Sequence, residues 1–223
     1  ICIYTHAETD IVVDIYGYYI ASSGGTGTPG QDGADGADGQ DAESPARVIW
    51  VADDGTGDFL KLSTALNSIT DATATKPYVI KIAPGEYTET ANVAMKNYVD
   101  VEGSGQDITT IKCACSSNVS PDASSAVISA GAITAEIRHL TINNTGGANS
   151  CSVGVHTENV VDGSFSMLHV TATATATGGT ANYGVNNYSS SPTMNNVTAT
   201  ATGGTNSYGV YNNSSSPSMM NVT

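Results

Sequence analysis

Residues 173–197 and 198–222 are near copies of one another, identical at 19 of 25 positions. Each copy reads TATATGGT, then YGV, then an Asn-rich and Ser-rich stretch closing on SSSP, Met and NV. Tyr183, Pro192 and Val197 therefore recur as Tyr208, Pro217 and Val222. A looser copy precedes them. Leu140 and Thr141 stand for Val197 and Thr198, Gly146 and Gly147 for Gly203 and Gly204, and Val153 to Val155 for Tyr208 to Val210. The repeat shortens from 30 to 27 to 25 residues along Leu140, Val170, Val197 and Val222. Periods of this size, with short β-prone runs between Gly, Asn and Ser-Pro turns, specify a solenoid, because one turn cannot bury its own apolar face and must stack on the next. Stacking at a strand spacing of about 4.8 Å predicts that Val170, Val197 and Val222 lie above one another inside. It also sets Met194 under Met219 and makes a shared amide ladder of Asn187 and Asn212. Thr171, Thr173, Thr175 and Thr177 alternate with alanine, which gives one hydroxyl face and one closely packable face. Helical and leucine-rich repeats are excluded by spacing and propensity.

The rest of the chain divides by composition. Residues 1–22 are β-branched and aromatic and read as two strands around Glu8 to Asp10, either ending an upstream β-domain or donated to a neighbouring subunit. The run TDIVVDIYGYY resembles the closing strands of small β-domains in secreted bacterial surface proteins. Over 23–45 a glycine recurs every third residue from Gly24 to Gly39, with Pro29 as the one proline among the triplets. This is the collagen period. The segment is a collagen-like rod or an acidic linker. Its Asp32, Asp35, Asp38 and Asp41 are weak candidates for Ca²⁺, without the spacing of a standard calcium loop. Because the chain starts at Ile1 and ends at Thr223 inside a repeat, it is expected to be an excerpt of a longer protein.

A folded domain is expected over 46–223. Val48 to Val51 read as a strand, and DDGTGDF as a loop whose Asp58 caps a helix carrying Leu60, Leu62, Ala65, Leu66 and Ile69. PYVIKI follows as a strand, APGEY as a turn, and YVDVEGSG and TTIKC as further strands. The order ADDGTGDF-LKLSTAL, then VIKIAPGEYTE, then VEGSGQDITTI resembles the N-terminal coils of the pectin-lyase-like, pectinesterase-type parallel β-helix over roughly residues 48 to 112. The expected fold class is all-β: a right-handed parallel β-helix solenoid preceded by the Gly-X-Y segment and the N-terminal strands.

The resemblance implies enzymes that use paired aspartates, a glutamine pair holding the oxyanion and an arginine, all on the external face of the central coils. None of those motifs stands in this chain. No glutamine follows Gln106, the acidic residues after Asp122 are Glu136, Glu158 and Asp162, and the chain from Gly163 to Thr223 holds no Asp, Glu, Lys or Arg. The sequence therefore leads to the expectation of no catalytic residues, no enzyme activity and no cofactor, Ca²⁺ apart. Asp53, Asp54 and Asp58 join the weak metal candidates. The function expected is a non-catalytic extracellular structural subunit of a fibre, filament or cell-surface stalk. Its partners are other copies of itself, with surface glycans as a further possibility. The rivals are a carbohydrate-binding adhesin or trimeric tail-fibre-type module and, behind it, ice binding or a polysaccharide-active enzyme.

A net charge of −14 excludes nucleic acid, and no apolar run reaches the length of a membrane span. Arg138 is read as ion-paired beside Glu136, and His6, His139, His156 and His169 as isolated. Cys113, Cys115 and Cys151 are disulfide candidates with the pairing open. Sequons mark Asn118, Asn143, Asn187, Asn196, Asn212, Asn213 and Asn221 as glycosylation candidates.

Overall fold

The computed structural model describes residues 47–118, 120–146, 151–177 and 179–223, which fall in a single compact unit running from Asp41 to Thr223. The N-terminal strands and the Gly-X-Y segment, with Asp32, Asp35, Asp38 and Asp41, lie outside the described residues.

The strands in chain order are β1 (Arg47–Val51), β2 (Tyr78–Ile82), β3 (Gly85–Thr88), β4 (Val93–Ala94), β5 (Val99–Glu102), β6 (Thr109–Cys113) and β7 (Ala126–Ala130). They continue as β8 (Ala135–Asn144), β9 (Cys151–Glu158), β10 (Phe165–Ala174), β11 (Ala181–Tyr188), β12 (Thr193–Ala201), β13 (Asn206–Asn213) and β14 (Ser218–Val222), with α1 (Leu62–Ser68) as the one α-helix among the described residues. Among the described residues nine strands make one sheet in the order β1-β2-β5-β8-β10-β12-β14, with β3 and β6 alongside. Five make a second sheet in the order β4-β7-β9-β11-β13. All of these pairings are parallel and the chain alternates between the sheets, so it winds as a parallel β-helix.

Equivalent side chains stack coil on coil, which is how a thin solenoid acquires a core. One inner row runs Ile49, Ile80, Val101, Ile137, Met167, Met194, Met219. Beside it run Leu140, Val170, Val197, Val222 and then Tyr87, Ile111, Ile142, Ala172, Ala199. The valine and methionine rows and the Asn187–Asn212 ladder form as expected. The Asn187 amide donates to Asn212 Oδ1 at 2.8 Å, and Thr157 donates to Asn187 Oδ1 at 2.7 Å.

The shrinkage of the third row to alanine lets the two sheets approach. The glycine of the repeated YGV signature sits opposite it. A Cβ on Gly184 would lie 2.7 Å from Thr200 N and 2.9 Å from Ala172 O. Backbone proximity therefore requires glycine there.

Corners of the coil are built from single left-handed residues. His139, His169, Asn196 and Asn221 occupy one corner with φ of 55, 51, 51 and 52°. Asparagine adopts this region at low cost. Its amide links the corner along the axis, from Asn221 to Asn196 Oδ1 at 2.9 Å and between Asn196 and His169 Nε2 at 2.9 Å. Of the histidines read as isolated, His139 and His169 are thus neighbours along the axis, with ring centroids 5.1 Å apart and planes tilted by 37°, while His6 lies outside the described residues.

Two local expectations change. Asp58 does not cap α1, because its carboxylate accepts the Trp50 amide at 2.9 Å and closes the loop after β1. The helix N-terminus is served from the next coil, where an acceptor side chain takes the capping role. Buried Glu89 accepts from Ser63 N at 3.1 Å and from Ser63 Oγ at 2.6 Å. The expected APGEY turn is confined to Ala83 and Pro84, because Gly85–Thr88 pairs with Thr109–Lys112 of the following coil and points Tyr87 into the core.

Candidate functional site

A groove of about 400 Å³ runs along the outer side of β9, β11 and β13. Its floor is built by strand alternation, interrupted on β11 at Gly184, which the pairing register skips. The inward side of these strands holds Thr157, Asn187 and Asn212, and the outward side presents His156 and Glu158 on β9, Tyr183, Asn186 and Tyr188 on β11, and Tyr211 and Asn213 on β13. One wall comes from the segment before β7, which contributes Ser120, Pro121 and Asp122. That segment is tied down by an antiparallel bridge between Ser117 and Cys151 and by Asp122, which caps the short turn Ala123–Ser125 through the Ser125 amide at 3.1 Å.

The tyrosines form an aromatic cluster. Tyr183 and Tyr208 stack with centroids 5.5 Å apart and planes 13° apart, and Tyr211 tilts against both at 5.3 and 5.2 Å. Offset and tilted ring pairs at such separations are the favourable arrangements for aromatic quadrupoles. Tyr183 is buried, whereas Tyr188 and Tyr208 are 45 and 40% exposed. Stacking is forced by the repeat, since Tyr183 and Tyr208 occupy the same position of successive coils.

His156 is 3% exposed, and burial pushes its imidazole below the usual value, opposed by the nearby Glu158 and Asp122. Burial disfavours the charged form, which is the direction expected for a histidine. The Asn186 amide donates to Nδ1 at 3.0 Å, and Nε2 lies 3.9 Å from Glu158 Oε2. This pairing assigns the neutral tautomer with its proton on Nε2. The residue is neutral near pH 7 and points its N–H toward a carboxylate at the groove. Asn186 itself is buried, and its Oδ1 has no hydrogen-bond partner. Cys151, under the same wall, is a free thiol that burial pushes up, with Asp122 adding to the effect. It is therefore a poor nucleophile.

The other residues singled out by sequence fall elsewhere. Cys113 and Cys115 are joined to each other and not to Cys151. Asp54 accepts from Thr56 N and Oγ1 at 2.9 and 2.6 Å, contacts that lower its pKa, and Asp58 is committed to Trp50. Asp53 packs against Gly85, where a Cβ would meet its Oδ2 at 3.1 Å. These aspartates shape a loop, and among the described residues no group of three His, Cys, Asp or Glu side chains is placed to hold a metal. Of the sequon asparagines, Asn187 is buried, Asn143 and Asn196 are partly covered, and Asn118, Asn212, Asn213 and Asn221 are exposed.

Arg138, on the first sheet, is more heavily paired than expected. It binds Glu136 at 2.6 Å and Glu102 at 2.8 Å, with Asp100 at 3.8 Å and Lys81 completing the row through Glu102 at 3.0 Å. Gln106 donates to Thr171 Oγ1 at 3.2 Å. Arg138 and Gln106 are thus committed to contacts on the first sheet, and Asp122, His156 and Glu158 are the acidic and imidazole groups facing the groove. Sequence reasoning missed this set because its members come from a loop and from a strand otherwise free of charge. The alternation of Asn186 and Tyr188 on one strand face was the available signal, whereas Tyr183 reaches that face only across the register break at Gly184.

Architecture and groove define a parallel β-helix protein with an aromatic cleft on its second sheet. Residues 48–174 match the sequence profile of the pectinesterase family, over half of the chain, and the chain belongs to that family. Pectinesterase 1 of Olea europaea and a pectinesterase of Parthenium hysterophorus are each 38% identical to it over 63 residues, which is 28% of this chain and 17% of theirs. The carrot pectin methylesterase structure superposes with a TM-score of 0.54 at 19% identity, covering 72% of this chain and 54% of that one, a likeness of fold. The chain thus spans a minor part of its curated relatives and about half of the carrot protein.

Family membership overturns the expectation of a non-catalytic structural subunit and of no enzyme activity. Counting charge along the repeat treated each coil separately. The groove draws its ionisable groups from Asp122, His156 and Glu158, all inside the matched region, and only its aromatic and amide lining from the charge-free coils. The match carries nothing in favour of a filament, a fibre or adhesion.

Proposed function

We propose that this chain is part of a polysaccharide-active carbohydrate esterase whose polymer lies in the tyrosine-lined groove. The family match across residues 48–174 carries the reading, because it takes in Asp122, His156 and Glu158. Glu158 is the group assigned to chemistry. Its carboxylate accepts a proton from water as the water oxygen bonds to the ester carbonyl carbon, and that proton passes to the departing alkoxide when the carbon–alkoxide bond breaks. The buried His156 Nε2 lies 3.9 Å from that carboxylate, and tyrosine hydroxyls and amide N–H groups are the donors available to the developing oxyanion. Asp122 is taken up in capping its turn and serves as wall.

An extracellular setting belongs to the proposal. Polysaccharide substrates of this kind lie outside cells, and the Cys113–Cys115 disulfide suits an oxidising compartment. The test is methanol release from methyl-esterified polygalacturonan. The wild-type protein is expected to release it, and Glu158→Gln to lower the rate by about 100-fold or more. No release above heat-denatured protein, or equal rates for both proteins, rejects the assignment.

A further inference from the structure

Two of the left-handed residues at the corner of the first sheet are histidines. His139 on β8 and His169 on β10 have φ of 55 and 51°, and the strand pairing passes over both, from Arg138 with Leu168 straight to Leu140 with Val170. Each imidazole is therefore turned out of the ladder. The next two coils place Asn196 and Asn221 at the same position, so the corner itself has no need of an imidazole. The two rings are half-buried, with centroids 5.1 Å apart. A ligating imidazole nitrogen sits about 2.0–2.1 Å from a zinc-like ion, which puts its ring centroid roughly 3.2 Å from the metal and, at ligand angles of about 90–110°, sets two centroids roughly 4.5–5.2 Å apart. The observed separation falls in this window. Nitrogens are also available. Neither ring nitrogen of His139 has a hydrogen-bond partner among the described residues, and His169 uses only Nε2, 2.9 Å from the Asn196 amide nitrogen. With a metal on His169 Nδ1, Nε2 carries the proton and donates to Asn196 Oδ1 once that amide turns over. The Asn196 amide then donates to Asn221 instead of accepting from it, so the ladder reverses without losing a bond. An outer partner of this kind fixes the orientation of a metal-ligating histidine.

We propose that His139 and His169 together chelate one divalent transition-metal ion across successive coils, with water completing its coordination. Imidazole pairs suit Zn²⁺ and Cu²⁺, and Cu²⁺ binds such a pair the more tightly. Among the described residues no third His, Cys, Asp or Glu joins them, so the remaining positions stay open to water. His139 borders a cavity of about 270 Å³ shared with Trp50, Lys81, Glu102 and Ser104, where Lys81 and Glu102 neutralise each other at 3.0 Å. No unbalanced cation therefore opposes the ion there. The metal ties β8 to β10, a pairing that only the folded helix brings together, so it raises the unfolding midpoint. The site stands on the first sheet and does not depend on the esterase reading.

Trp50, the only tryptophan of the chain, lines the same cavity as His139, so bound Cu²⁺ quenches its fluorescence. The test is titration of the untagged, metal-free chain with Cu²⁺, alongside His139→Asn, His169→Asn and the double variant. The corner tolerates these changes because asparagine already stands there in the following coils. Wild type should show saturable quenching at one ion per chain, reversed by Zn²⁺, which binds without quenching. Each single variant should need about tenfold more Cu²⁺ or worse, and the double variant should have no saturable phase. Electron paramagnetic resonance of the copper-loaded protein should resolve two imidazole nitrogens in wild type and one in each single variant. Zn²⁺ should raise the melting temperature of wild type and leave that of the double variant unchanged. The same quenching midpoint in wild type and His139→Asn, a wild-type copper spectrum carrying one imidazole nitrogen, or an equal Zn²⁺ effect on the double variant overturns the proposal.

Discussion

Gly184→Ala probes the distance between the two sheets. A Cβ at this position would lie 2.7 Å from Gly209 O and from Thr200 N, and 2.9 Å from Ala172 O, where ordinary contact begins at 3.4 Å. The obstructing atoms are backbone of β10 and β12, fixed by parallel pairing on both sides, and of β13, held by its pairing with β11. No side chain can swing aside, so relief requires the close-packed sheets to part by roughly 0.7 Å over several coils. Overpacking of this kind costs about 1–3 kcal/mol, and contact with backbone on both sheets puts this site at the upper end. In a protein of this size about 3 kcal/mol lowers the melting temperature by roughly 6–12 °C. Thermal and urea unfolding followed by far-UV circular dichroism measure it. Gly163→Ala is the control, because its φ is +72° and nothing stands within 4 Å of its Cβ. Only left-handed strain of about 1–2 kcal/mol remains there. If Gly184→Ala loses no more stability than Gly163→Ala, the sheets are not held at the spacing on which this reasoning depends.

Arg138→Met leaves Glu102, Glu136 and Asp100 facing one another. It should destabilise by on the order of 1–3 kcal/mol at pH 7, with partial exposure limiting the loss. Unfolding at pH 7 and pH 4 checks this, and a penalty that does not shrink at pH 4, where protonation relieves the repulsion, contradicts it. His156 gives a second pH signature. Its folded pKa is depressed below the usual 6.5 by burial, so the unfolded chain takes up the proton first as pH falls. Its contribution to stability is complete above about pH 6.5 and is lost as pH drops toward the folded value. The urea midpoint of wild type should therefore fall more steeply between pH 7.5 and 5 than that of His156→Gln, and parallel curves would show that the imidazole is not held neutral.

The coils were legible because a repeat states its own register. Once Val170, Val197 and Val222 are equivalent, period-two alternation decides which neighbours face inward, and stacking needs no further information. The first coils were legible through their similarity to a known family, down to the order of β1, α1, β2 and β5. What failed was local. Asp58 has the chemistry of a cap and stands ahead of the helix, yet Glu89, far beyond Ser63 in the chain, takes that place because the second coil closes over the helix N-terminus. The site was misread for the same reason. Glu158 and Asp122 look like sparse charges on a polar chain until the wall before β7 folds over β9 and sets them beside Tyr183.

The sequence by itself determined the solenoid, its in-register rows and the absence of charge from its last coils, because each follows from periodicity and composition. Tertiary structure alone decided that Cys113 pairs with Cys115, that Arg138 is neutralised on one sheet, and that Asp122, His156 and Glu158 meet an aromatic ladder on the other. The bridge is local, but its alternative, a link to Cys151, and the meeting of Asp122, His156 and Glu158 with the ladder depend on which coil a loop crosses, a non-local choice set by closure of the helix.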